Sequence, residues 1–262
     1  MDQLPYALDY MHKFNIHKWL GLNVSDDDLV SIARMYGVRS GELRKVEKSL
    51  QANVEQLAAR LPGKAKPAAT PLAVLALGDS ITSDRESYVR ILNSYWKGTG
   101  RKMIDCAVSG DSTSDLIDRW YSTVVNQEFD WVVIFIGTND CRQADDPARM
   151  TRISLQEYQR NMEYFTDQFL TRGKQVVLVT IPPVNMSRFK ESFPQNGWIY
   201  DRERIDATNR ALRDLAAHKG LKVADLAKAL DAQSEDVMTP DGLHLNGTGQ
   251  LILSRVLLEV IP

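Results

Sequence analysis

The stretch Leu72-Ala-Val-Leu-Ala-Leu-Gly-Asp-Ser80 decides the fold. Six consecutive apolar residues without polar alternation describe a strand buried on both faces, the kind found in parallel sheets covered by helices. Gly78 permits a tight turn directly after it, and Ser80 falls where the next loop or helix begins. Working outward, further apolar runs occupy 103–108, 131–136, 176–181 and 221–224. Amphipathic stretches at 86–97, 113–125, 155–172, 201–218 and 247–260 separate or follow them. Strand and helix in alternation predict an α/β protein, a three-layer α/β/α sandwich on a mainly parallel five-stranded sheet. Ligands of such sheets sit at the carboxyl ends of the strands.

Upstream, the segment 62–71 carries three prolines and a glycine and reads as a linker. It divides a small helical unit, 1–61, from a catalytic domain, 72–262. Within the unit, Ser25 is the expected N-cap of a helix with Leu29, Ile32, Ala33 and Tyr36 on one face, and Gly37 is its expected stop. Leu43, Val46, Leu50, Val54, Leu57 and Leu61 form a second stripe. These stripes are expected to dock on the sandwich or on a second copy of the chain, which would give a homo-oligomer or cover the entrance of the site. The unit is slightly basic and the remainder acidic, but no recognition helix rich in Arg, Asn or Gln marks a DNA reader.

The net charge of −2 singles out neither nucleic acid nor anionic membranes as a partner. No run approaches the roughly 18 apolar residues of a membrane span, and the first residues lack the pattern of a secretory signal. Cys106 and Cys141 lie beside apolar runs and read as buried reduced thiols. These features predict a cytoplasmic protein.

Three strands deliver polar, glycine-containing turns to one edge: Gly78-Asp79-Ser80, Ser109-Gly110-Asp111 and Gly137-Thr138-Asn139-Asp140. Far downstream, Asp241-Gly-Leu-His244 precedes the last helix. Acyl transfer from an ester needs a nucleophile, a base, a group to orient the base and donors for the oxyanion. Ser80 offers the hydroxyl, His244 the base and Asp241 the orienting carboxylate. The N–H groups of Ser80 and Gly110 and the amide of Asn139 offer an oxyanion hole. A Mg²⁺ site built from Asp79, Asp140 and Asp241 is the competing arrangement, but it leaves the serine, asparagine and histidine without roles. No metal and no cofactor is expected. His12 and His17 have no cysteine near them, and His218 suits a helix C-terminus. Asp79 and Asp140 read as braces of their turns.

Taken in order, Gly78-Asp-Ser-Ile-Thr82, Gly110, Gly137-Thr-Asn139-Asp and Asp241-Gly-Leu-His244 resemble the four diagnostic blocks of the GDSL/SGNH hydrolases. The resemblance covers about 71–262 and implies a flavodoxin-like three-layer fold with metal-free esterase, lipase or acyl-transfer activity. It implies the nucleophile at Ser80, oxyanion donors at Gly110 and Asn139, and an Asp–His pair at Asp241 and His244. One departure is Asp105-Cys-Ala107, where family members often carry an asparagine. No Gly-x-Ser-x-Gly surrounds a candidate nucleophile, which argues against an α/β-hydrolase.

Long connections at 82–88, 141–153 and 182–200 end at the same edge. The last holds Met186, Phe189, Phe193 and Trp198, expected either to line a small-molecule pocket or to pin the loop. Arg142 and Asp79 are further candidates for substrate binding, Arg142 for a carboxylate or hydroxyl. A small, short-chain ester is the expected substrate. A lysophospholipase, thioesterase or acyltransferase of the same family remains open, as does a non-catalytic binding protein on this fold.

Overall fold

The computed structural model describes residues 4–20, 24–63, 65–124 and 127–262. Its strands are β1 (Leu72–Gly78), β2 (Arg101–Asp105), β3 (Trp131–Phe135), β4 (Arg142–Ala144), β5 (Gln175–Val179), β6 (Trp198–Tyr200) and β7 (Lys222–Ala224). The helices before the sheet are α1 (Leu4–Lys13), α2 (Leu29–Met35) and α3 (Ser40–Ala59). Those after β1 are α4 (Ser80–Ser83), α5 (Tyr88–Tyr95), α6 (Thr113–Asp118), α7 (Trp120–Thr123), α8 (Leu155–Leu170), α9 (Met186–Ser192), α10 (Arg202–Lys219), α11 (Leu226–Asp231) and α12 (Gly247–Val260).

Five strands pair in the order β2-β1-β3-β5-β7, all parallel. This is the expected sandwich, and the pleat explains its layers. Val74 and Ala76 of β1 turn to one face, where they share an apolar cluster with residues of α3, α5, α11 and α12. Leu75 and Leu77 turn to the other, against Leu116, Trp120, Phe165, Phe169 and Leu212 of the opposite helical layer. Because β1 is buried on both faces, it has no room for polar alternation.

Several details depart from the sequence reading. Asp28, not Ser25, caps α2, its carboxylate accepting the Ser31 amide. The run 113–125 breaks at Arg119 into α6 and α7, while Ser112 and Asp115 form a reciprocal capping box at the start of α6. The connections at 141–153 and 182–200 are not bare loops: β4 pairs with β6 antiparallel, and α9 precedes β6. Three-residue strands and a seven-residue helix carry too little periodicity to be seen in sequence. Cys141 is buried but Cys106 only partly so, and both are free thiols.

The described linker residues form neither helix nor strand; Ala68 and Leu72 donate to Thr99 and Gly100. Of the helices ahead of it, α3 docks on the sandwich, and α2 packs on α3. Val54, Leu57, Ala58 and Leu61 join the apolar cluster of α5 and α12. Leu57→Ala should therefore lower stability by about 2–3 kcal/mol. Denaturant unfolding should retain one transition that moves as a whole, whereas an unaltered main transition with a separate early one would show that the helices fold independently.

Candidate active site

Each site residue is placed by the end of an element. β1 stops at Gly78, where a Cβ would collide with Thr82 and lie 2.6 Å from the Phe135 carbonyl oxygen, so only glycine permits the turn. Asp79 then caps α4 by accepting the Ile81 amide at 3.0 Å, and Ser80 opens that helix. At the far end of the chain, Gly242 has φ +69°, and a Cβ there would come within 2.5 Å of the Asn185 carbonyl oxygen. That turn folds Asp241 back so that its Oδ1 accepts the amides of Leu243 (2.9 Å) and His244 (3.0 Å).

His244 Nδ1 lies 2.7 Å from Asp241 Oδ2, and His244 Nε2 lies 2.8 Å from Ser80 Oγ. With the proton on Nδ1 held by the carboxylate, Nε2 presents its lone pair to the serine hydroxyl. Burial works against ionisation of Asp241. The hydrogen bond and charge of His244, together with Thr239, outweigh it and hold the carboxyl well below the usual range. The structure thus brings together three residues named from the sequence.

Gly110 faces the same cavity from the turn after β2, with φ +85°. Asn139 lies behind it, its Nδ2 donating to the Asp111 carbonyl at 2.9 Å and leaning toward Asp79 at 3.5 Å. Asp140 accepts both the amide and the hydroxyl of Thr113, tying the turn after β3 to α6. Beneath the site, burial raises three carboxyls: Asp79 to about 7, Asp111 to about 6 and Asp140 to about 6.

The cavity above Ser80 has a volume of about 250 Å³. Phe189, Phe193 and Arg142 line it, as the sequence suggested. Asp79, Met186 and Trp198 do not. Asp79 is buried beneath the turn, the Met186 sulfur accepts the Tyr200 amide, and Trp198 lies on β6 opposite Ala144. A larger cleft of about 820 Å³ opens at the amino ends of the strands, beside Leu72, Arg101 and Asp130, where no motif lies.

The sequence left open that the N-terminal unit covers the entrance of the site, but it did not single out the residues that form the wall. Tyr10, Phe14 and Ile16 line the cavity, and Phe14 stacks on His244 with centroids 4.0 Å apart at 29°. The segment is clamped in place. Ser109 Oγ donates to the Phe14 carbonyl, Asn15 Nδ2 to that of Ser83 (2.6 Å), and the Arg85 amide to that of Lys13 (2.8 Å). Glu47 joins His12 (2.8 Å) and Arg85 (2.9 Å), and Lys13 reaches Asp84 at 3.0 Å. Tyr10 and Phe14 stand four residues apart, one helix face, but that spacing does not reveal what they cover.

A family model for the GDSL-like lipase/acylhydrolase family matches residues 76–252, from the end of β1 into α12. The chain belongs to that family. This GDSL-like hydrolase is accordingly an ester-hydrolysing enzyme. It is 26% identical over 180 residues to an acetylxylan esterase of Geobacillus stearothermophilus, covering 66% of this chain and 78% of that one. In fold it resembles a lipase/acylhydrolase of Enterococcus faecalis, with TM-score 0.60 and 24% identity over 72% of this chain and 95% of that one. A solved structure of a Geobacillus stearothermophilus acetylxylan esterase gives TM-score 0.57 and 21% identity over 72% and 94%. Among the described residues, no helix is long and apolar enough to cross a membrane.

The raised carboxyl of Asp79 has a consequence for stability. In the folded state it holds its proton up to about 7, while the unfolded chain releases it near pH 4. Between those values the folded form binds more protons, so this group's contribution falls as pH rises. The stability difference between wild type and Asp79→Asn should therefore shift against wild type from about pH 4 to about pH 7. Thermal unfolding of both proteins across that range checks the sign; a constant difference would place the carboxyl at its ordinary value.

Proposed function

We propose that the chain is a metal-independent serine esterase that hydrolyses small, short-chain acyl esters through an acyl-Ser80 intermediate. The observation that carries this reading is the continuous line of hydrogen bonds from Asp241 through His244 to Ser80, opening into the cavity. His244 Nε2 takes the Ser80 proton as Oγ attacks the ester carbonyl, and Asp241 stabilises the imidazolium that results. The N–H groups of Ser80 and Gly110 receive the negative charge forming on the carbonyl oxygen. Asn139 Nδ2 joins them by exchanging its 3.5 Å approach to Asp79 for the oxyanion while keeping its bond to the Asp111 carbonyl. His244 then protonates the departing alcohol and activates water to release the acid. Each role has a protein group, so none requires a metal.

The short acyl chain is supported by the modest cavity and by the aromatic wall of Tyr10, Phe14, Phe189 and Phe193. Likeness to an acetylxylan esterase points the same way. The free thiols suit a reducing cytoplasm. A homo-oligomer built through the N-terminal helices would have to use surface other than Val54, Leu57 and Leu61, the part of the second apolar stripe that the sandwich covers.

The decisive test is hydrolysis of p-nitrophenyl acetate, butyrate and octanoate, with EDTA present, by wild type and Ser80→Ala. Activity that resists EDTA, falls with chain length and vanishes in the variant is expected. A rate that peaks at octanoate would overturn the short-chain assignment, and an active Ser80→Ala would overturn the nucleophile. Asn139→Ala should lower kcat by roughly 10²–10³-fold with a modest change in KM. An effect on KM alone would make Asn139 a ground-state contact. Asp241→Asn should keep residual activity, since the carboxylate orients the base without transferring a proton. Phe14→Ala should reduce kcat on the acetate and raise the octanoate-to-acetate ratio, because it removes both the support of the imidazole and part of the wall.

A further inference from the structure

Arg142 begins β4 of the small two-stranded sheet beside the cavity, and its backbone is fixed on both sides. It pairs with Tyr200 across β4 and β6, and its carbonyl accepts the Arg152 amide at 3.2 Å. Its Nε donates to the Tyr200 hydroxyl at 3.0 Å. The two terminal nitrogens make no hydrogen bond and no ion pair among the described residues. Neighbouring arginines are spent: Arg119 on Asp111, Arg152 on Asp115, Arg188 on Asp236. Asp115 feels the charge of Arg142 but is held by Arg152 and by its capping box.

The guanidinium is partly buried without a counter-ion, an arrangement that costs free energy until an anion arrives. Among the described residues no carboxylate lines the cavity; its other polar groups include Ser80, Ser109, Asn196 and His244. Tyr200 accepts from Nε, which leaves its own proton free to donate beside the guanidinium fork. A planar, two-oxygen anion matches that donor set.

We propose that Arg142 and the Tyr200 hydroxyl form an anion subsite, and that the natural substrate is an ester bearing a free carboxylate. This deepens the esterase reading of the same cavity and rests on it. The carboxylate belongs either to the alcohol being released or to the acyl group, and matched substrates separate the two.

The test compares 4-acetoxybenzoate with its methyl ester, for the alcohol side, and mono-p-nitrophenyl glutarate with p-nitrophenyl pentanoate, for the acyl side. In one pair the charged member should have kcat/KM at least about tenfold higher, as expected for a charge-assisted hydrogen bond, mainly through KM. That ratio should collapse toward one in Arg142→Gln, persist in part in Arg142→Lys and shrink with added salt. A preference for the neutral member in both pairs, or a ratio unchanged in Arg142→Gln, would overturn the subsite. A measurement free of variants is inhibition of the wild type, where benzoate should act at about tenfold lower concentration than benzamide; equal inhibition would overturn it. Hydrolysis of the neutral esters, and its loss in Ser80→Ala, reports on the esterase chemistry separately. If that hydrolysis is present while the charge preference is absent, only the subsite fails.

Discussion

Parallel pairing of β1 with both β2 and β3 is the constraint on which the rest of the molecule depends. Parallel strands all end at one edge, so the turns that follow them must gather there. Ser80 arrives after β1, Gly110 after β2 and Asn139 after β3 for this reason alone. The pairing also leaves β1 with neighbours on each side and helices on each face, which accounts for its wholly apolar sequence. A polar residue inside that strand would be stranded from water and from partners.

The sheet supplies only half of the site. His244 and Asp241 reach it from the loop before α12, and Gly242 alone lets that loop pass against Asn185. The remaining wall comes from the N-terminal segment, held by one backbone and two side-chain-to-backbone hydrogen bonds to the residues that follow β1 and β2 and by ion pairs around Glu47 and Arg85. Several of these charges are buried, and buried ion pairs specify geometry more reliably than they add stability. Here the geometry they specify is the seat of Phe14 on the imidazole.

The sheet and the Ser80, Asp241 and His244 constellation were legible because their signals are local. An unbroken apolar run ending in Gly-Asp-Ser is read within nine residues, as is Asp-Gly-Leu-His before an amphipathic helix. The two-stranded β4–β6 sheet and α9 were illegible because elements so short have no period to detect. The helix cap moved from Ser25 to Asp28 because several capping residues stand in a row, and only tertiary contacts choose among them. The aromatic wall was illegible for another reason: apolar spacing marks a face to be buried and says nothing about its partner. Composition left Met186 and Trp198 open to lining the cavity or pinning the loop, and the β4–β6 pairing decides it: the Met186 sulfur accepts the Tyr200 amide and Trp198 pairs with Ala144.

The stacking of Phe14 on His244 joins residues from nearly opposite ends of the chain. Contacts of such long separation form late, because the loop entropy of closing them must be met before they contribute. The cavity is therefore complete only when the segment bearing Phe14 and the loop bearing His244 have met, and neither half encloses it alone.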